Sequence, residues 1–137
     1  MTAKEYLNQA YRLNELIDSN LREIERLRDM ATNITSNLDE RVQSSPGGDK
    51  IPRIVEKIVM LQNQINEETD RMVDLRAEIR QTIDTVVDPD EKLLLRLRYV
   101  EFKKWSEVAG IMSFSIRQTT RVHEQALKNI AIFKNLA

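Results

Sequence analysis

The sequence predicts an all-α protein: a long antiparallel helical hairpin forming a coiled-coil arm, then a C-terminal three-helix module built on a helix-turn-helix. Three observations predict this. Apolar residues recur at three- and four-residue spacing through most of residues 1–87. The one stretch that breaks the pattern, SSPGGDKIP at Ser44–Pro52, holds two of the three prolines and two of the three glycines. From Trp105 onward, WSEVAGIM, SFS and IRQTTRVHEQALKNI read as a short helix, a turn and a longer helix. Charged residues make up 31% of the 137 and aromatics 5%, a balance that suits long helices with charged outer faces over a large globular core.

The first helix starts at the capping-box pair Thr2 and Glu5 and is expected to run to about Val42. One apolar column holds Ala10, Ile17, Ile24, Ala31 and Leu38. A second, three residues on, holds Leu13, Asn20, Leu27 and Ile34, and Leu7 and Leu21 widen the stripe. Asn20 is polar in an apolar column. It reads either as a device that fixes register or partner number, or as a solvated edge position. Ser44–Pro52 is the connector that lets the chain reverse. The second helix runs from about Pro52, at a permitted first-turn position, to Val87. Its seam is Ile54, Ile58, Leu61, Ile65, Glu68, Met72, Leu75, Ile79, Thr82 and Val86, eight of the ten being apolar. At about 1.5 Å per residue this is a rod of roughly 50 Å.

Two helices of similar length with a short connector pack antiparallel. A lone hairpin buries little. The arm is therefore expected to self-associate, with a dimer favoured, through Ile17, Ile24, Leu27, Ile58, Leu61, Ile65, Met72, Leu75 and Ile79, or else to pack onto the C-terminal module. Asp88-Pro89-Asp90-Glu91 combines a capping Asp, a Pro for the first helical position and a Glu that completes a capping box. It divides the arm, residues 1–87, from the module, residues 88–137. The third helix, Pro89 to about Val100, is expected to bury Leu93, Leu94 and Leu97 while Arg96 and Arg98 snorkel or pair with acids. Glu101–Lys104 is a connector.

In the helix-turn-helix, Trp105 to about Met112 form the first helix and Ser113, Phe114 and Ser115 the turn. Ser115 caps the second helix, and Gln118 sits at the spacing that bonds back. Ile116, Thr119, Val122 or His123, Ala126 and Ile130 fall on its inner face. Arg117, Gln118, Arg121 and Gln125 fall on its outer face near the start, and their side-chain types bond base edges and phosphates. Lys103 and Lys104, just before the motif, stand where phosphate contacts are made, although two solvated lysines would look the same.

The net charge of −1 argues against an unspecific nucleic-acid binder, but its distribution is uneven: −2 over residues 1–50, −2 over 51–87 and +3 over 88–137. The absence of cysteine excludes a disulfide framework and thiolate metal sites, and fits a reducing cytosol. Lys4 and Glu5 interrupt any leader, and no apolar run approaches the length of a membrane span, so a cytoplasmic protein without a membrane partner is expected. His123 is the only histidine and reads as a packing or capping residue, or as a backbone contact to DNA, but not as a metal ligand. Trp105 reads as core. Exposed carboxylates such as Glu67, four residues before Arg71, read as surface pairs. No phosphate loop, catalytic triad or cofactor motif is present, so neither an enzyme nor a cofactor is expected.

The run LLLRLRYVEFKKWSEVAGIMSFSIRQTTRVHEQALKNI resembles region 4 of bacterial sigma factors over roughly Leu93 to Ile130. The matching features are the Leu-rich helix with Arg98 and Tyr99, then Trp105, Glu107, Val108 and Ala109, then Ser115, and finally Ala126 and Leu127 before a Lys. With its opening MTAKEYLNQAYRL, the whole chain resembles small prophage proteins of Gram-positive bacteria grouped with ArpU/RinA-type late regulators. It departs from the sigma pattern at Ser113, usually Gly, and at Thr119, usually Val. The resemblance implies a phage or prophage transcriptional regulator whose helix from Ile116 enters the major groove of double-stranded DNA. Arg117, Gln118, Arg121 and Gln125 would face the DNA, Lys103, Lys104, Ser115 and Thr120 would contact the backbone, and RNA polymerase would be a partner of the arm. Two other readings are a DNA-packaging protein like a small terminase subunit, and a module that docks on RNA polymerase without binding DNA.

Overall fold

A computed structural model of the chain describes residues 1–40 and 49–137, over 36–40 the backbone alone. The heptad residue Leu38, the expected end of the first helix at Val42 and most of the connector, residues 44–48, lie outside the described side chains and residues. Among the described residues there are six α-helices and no strand: α1 (Ala3–Leu7), α2 (Gln9–Glu40), α3 (Lys50–Asp84), α4 (Pro89–Leu95), α5 (Trp105–Met112) and α6 (Ile116–Lys134). None of them is long and apolar enough to cross a membrane.

Thr2 caps α1 as its spacing predicts, its hydroxyl accepting from the Glu5 N–H at 3.1 Å. The expected continuous first helix is interrupted at Asn8, where the Gln9 side-chain amide donates to the Tyr6 carbonyl at 3.1 Å. Asn8 makes a single-residue turn that stays in the right-handed region, φ −76° and ψ −6°. α3 starts at Lys50, two residues before the expected Pro52, which still lies in its first turn. It stops at Asp84 and not Val87, because the Thr85 and Val86 N–H groups reach back only three residues, to Thr82 and Ile83.

The residues form two compact units. The first joins Met1–Asn14 to Met72–Ala137, so the helix start at Asp88 falls inside it. Its core includes Tyr6, Leu7, Leu13, Met72, Ile79, Ile83, Leu94, Leu95, Tyr99, Val108 and Ile130, all buried. α6 packs against both α4 and α1. The antiparallel run of the hairpin helices brings the Tyr6 hydroxyl to the Thr82 hydroxyl, 3.2 Å away in the interior. Arg76 donates to the Val100 carbonyl at 3.0 Å, and the Lys134 ammonium lies 5.1 Å over the Tyr6 ring.

Within this unit Asp88 caps α4 as expected, its carboxylate accepting from the Asp90 and Glu91 N–H groups at 2.9 and 3.0 Å. Glu91 does not complete a capping box. It is buried, and its carboxylate accepts from the Asn129 amide of α6 at 3.0 Å. Leu93, expected in the core, is 43% exposed, and Leu95 is buried instead. The register changes because α4 widens into a π-helical turn over Arg96–Val100, closed by Glu101 N–H on the Arg96 carbonyl, five residues back. That turn buries Leu97, Tyr99 and Val100 together. Arg96 pairs with Asp84 as an expected acid partner, whereas Arg98 pairs with no acid among the described residues: it donates to the Lys103 carbonyl at 2.9 Å and lies 4.7 Å over the Trp105 ring.

The second unit, Glu15–Arg71, is the hairpin alone. Ile24, Leu27 and Ile54 are buried; Ile17, Ala31, Ile34, Ile58, Leu61 and Ile65 are half-buried. Leu21 does not widen the stripe and is 47% exposed. Asn20 donates to both carboxylate oxygens of Glu68 at 3.1 and 3.2 Å, so the polar residues of the two seams meet each other. Of the positions expected to join copies, Ile24 and Leu27 here and Met72 and Ile79 in the first unit are buried within the chain. Ile17, Ile58, Leu61, Ile65 and Leu75 are half-buried. Exposed ion pairs form between Glu23 and Arg26 and between Glu25 and Arg28, at i,i+3 spacing. Glu67 and Arg71 stay exposed without pairing among the described residues.

Candidate nucleic-acid interface

The segment from the π turn through α5 to α6 is built by three local conformations. Phe102 takes the left-handed region at φ 59° and redirects the chain out of the π turn. Its ring is held edge-on by Tyr11 at 5.8 Å and lies under the Arg76 guanidinium at 5.7 Å. Ser113 ends α5 in the left-handed region, φ 56° and ψ 40°, and the Phe114 N–H closes on the Ala109 carbonyl at 3.0 Å. Ser115 returns to extended angles and caps α6, its hydroxyl accepting from the Gln118 N–H at 3.1 Å. Of that expected capping box, only the Ser115 half forms among the described residues. α5 spans the expected Trp105–Met112. α6 extends beyond Ile130 to Lys134, where left-handed Asn135 stops it.

The inner face of α6 is Thr119, Ala126 and Ile130, all buried, with Val122 and His123 half-buried at its edges. Thr119 sits in this apolar face at no cost in hydrogen bonding, since its hydroxyl donates to the Ser115 carbonyl at 2.8 Å. Ile116 departs from its expected inner position. It is 83% exposed, because the first turn of α6 projects past the core. Arg117, Arg121 and Gln125 are exposed on the outer face; Gln118 is half-buried. Thr120 is exposed, with its hydroxyl turned onto the Ile116 carbonyl at 3.0 Å. Lys104 is exposed at the start of α5. Lys103 is half-buried and its main chain is tied on both sides, the N–H to the Leu97 carbonyl and the carbonyl to Arg98. Thus α6 brings Arg117, Arg121 and Gln125 together on one open face, while Gln118 and Lys103 are partly withdrawn.

Behind this face lies an aromatic cluster. His123 Nε2 is 2.6 Å from the Tyr99 hydroxyl, and its ring packs 4.5 Å from Trp105 and 5.8 Å from Tyr99. Burial, with Lys4 and Arg98 nearby, pushes the His123 pKa down to about 4, and burial pushes Tyr99 up to about 12. Both groups are therefore neutral at pH 7, and the hydrogen bond between them is an uncharged one. Trp105, read from sequence as core, is half-buried at the edge of this cluster.

A pocket of about 580 Å³ opens here between Trp105, Ala109, Ile116, Thr120 and His123, with Lys4 of α1 on its rim. Lys4 is the residue that sequence reading missed. It is more than a hundred positions from α6, and only the packing of α1 on α6 carries its charge to the start of that helix. Among the described residues no three of His, Cys, Asp and Glu are grouped to hold a metal ion. No protein-family model, curated protein or solved structure matches the chain.

Proposed function

We propose that the chain is a sequence-specific DNA-binding regulator that lays the first turns of α6 in the major groove. The carrying observation is the polarity of α6: Thr119, Ala126 and Ile130 are buried behind, and Arg117, Arg121 and Gln125 stand exposed in front. Arg and Gln in this position can reach guanine and adenine edges, and exposed Ile116 can meet a thymine methyl group. Lys104 and Lys4 flank the same end of the module and supply phosphate contacts that fix orientation. Ser115 is occupied in capping, so its hydroxyl serves DNA indirectly, by holding the α6 N-terminus in place. The resemblance to phage regulators with sigma-like motifs supports transcription as the process served and RNA polymerase as a partner.

The test is selection from a random duplex library at about physiological salt, followed by titration of the recovered site. A recovered motif and a Kd that rises steeply with salt are expected. Arg121→Ala should weaken binding by about 1–3 kcal/mol, roughly five- to 150-fold, with unchanged helicity. A folded variant with wild-type affinity removes Arg121 from the interface. Failure to enrich any sequence favours instead a module that docks on a protein, a reading supported by Glu124 between the basic residues on the outer face of α6 and by the net charge of −1.

A further inference from the structure

We infer that the unit Glu15–Arg71 is a self-association surface through which two copies of this chain pack hairpin against hairpin as a four-helix bundle. The inference does not depend on DNA binding. Two helices of this length leave the unit short of a core. Only Ile24, Leu27 and Ile54 are buried among its described apolar side chains, while the seam residues Ile17, Ile58, Leu61 and Ile65 are left half-covered. So few buried side chains do not offset the entropy of ordering both helices, and the uncovered half of the seam asks for more protein.

One side of the hairpin is suited to a second copy. A groove of about 580 Å³ runs between the helices there, floored by Leu21, Ile24 and Ile65 and rimmed by Arg22, Glu25 and Arg28. Gln62 and Asn66 of α3 also line it. Val55, Val59, Gln62 and Asn66 follow one another at spacings of four, three and four, so they lie on the same helical stripe, and the two valines extend the apolar surface along α3. Both are about half exposed, at 51% and 48%. A two-fold contact sets the same patch against itself, so it needs both charge signs on one rim, and Arg22, Glu25 and Arg28 supply them. A partner of one strong charge would find no such match. Two helices of some twenty residues present a face of roughly 30 by 20 Å at about 1.5 Å per residue. With its side-chain relief, that is comparable to the roughly 800 Å² each partner contributes to an ordinary stable interface.

Sedimentation equilibrium of the full chain at tens of micromolar tests this. The mass expected is that of two 16.0 kDa chains. The double substitution Leu21→Glu with Val59→Glu adds four like charges to the dimer interface at positions already open to water in the single chain. It should leave the circular dichroism of the chain unchanged and raise the dimer dissociation constant at least about tenfold. Met60→Glu, at a 63% exposed position off the Val55–Val59 stripe, should leave the dimer intact. A wild-type mass other than two chains, a double variant that stays dimeric, or dissociation by Met60→Glu alone would overturn the inference.

Discussion

Ser113 holds the turn between α5 and α6 in a left-handed conformation that a side chain with Cβ adopts at a cost. Ser113→Gly should therefore stabilise the protein by about 0.5–1 kcal/mol in urea denaturation, the relief of strain exceeding the added freedom of the unfolded chain. His123 makes stability depend on pH. The unfolded chain takes up the proton near the ordinary 6.5, and the folded protein refuses it until about 4. The unfolded state thus binds more protons between those values, so stability is full above pH 6.5 and drains as pH falls toward 4. Melting curves across that window should show the decline in the wild type, and His123→Gln should flatten it. Glu91 works in the opposite sense. Burial, then the negative charge of Asp88, raise its carboxyl above the usual range, against the Asn129 hydrogen bond that lowers it. At neutral pH the folded state holds a charge that the unfolded chain holds more easily in water. Glu91→Gln keeps an acceptor for Asn129 and should raise the urea midpoint at pH 7, the gain fading as pH falls into the carboxylate range.

At the scale of elements, legibility followed locality. Thr2, Asp88 and Ser115 cap the helices they announce, because an N-cap bond spans only two or three residues. The turn to α6 was legible for the same reason. Helix interiors misled where a distant partner intervened. Glu91 has the spacing of a capping box but is drawn to Asn129 on another helix. The Leu93–Leu97 run has an α-helical period, and the π turn that shifts its register, exposing Leu93 and burying Leu95 and Tyr99, has no local signature. Ile116 continues the inner stripe of α6 on paper and stands in water because the core ends beneath Thr119. In the candidate site, the exposed Arg117, Arg121 and Gln125 were legible from helical period. Lys4 was not, since its place depends on α1 docking against α6.

For the whole molecule, the strong helix start at Asp88 suggests that a domain begins there, but capping signals mark helices and not the cores they join. The compact unit holding α4, α5 and α6 also includes Met1–Asn14 and the end of α3 from Met72. Buried Leu7, Ile79 and Ile83 share that unit with Leu94, Tyr99 and Ile130. A fragment of residues 88–137 should therefore lack a cooperative melting transition and show weak helical circular dichroism, while the full chain melts cooperatively. A well-dispersed NMR spectrum from the fragment would contradict this.

The joining of both ends in one unit also sets an order of events during synthesis. Translation proceeds at roughly 5–20 residues per second, so Tyr6 emerges from the ribosome on the order of ten seconds before Ile130. The hairpin helices can form from neighbouring residues as they appear. α1 also packs on α6, so that side of the N-terminal helix stays open until the final helix is out. A nascent chain stalled before α6 would leave the α6-facing side of α1 uncovered and open to chaperones and proteases.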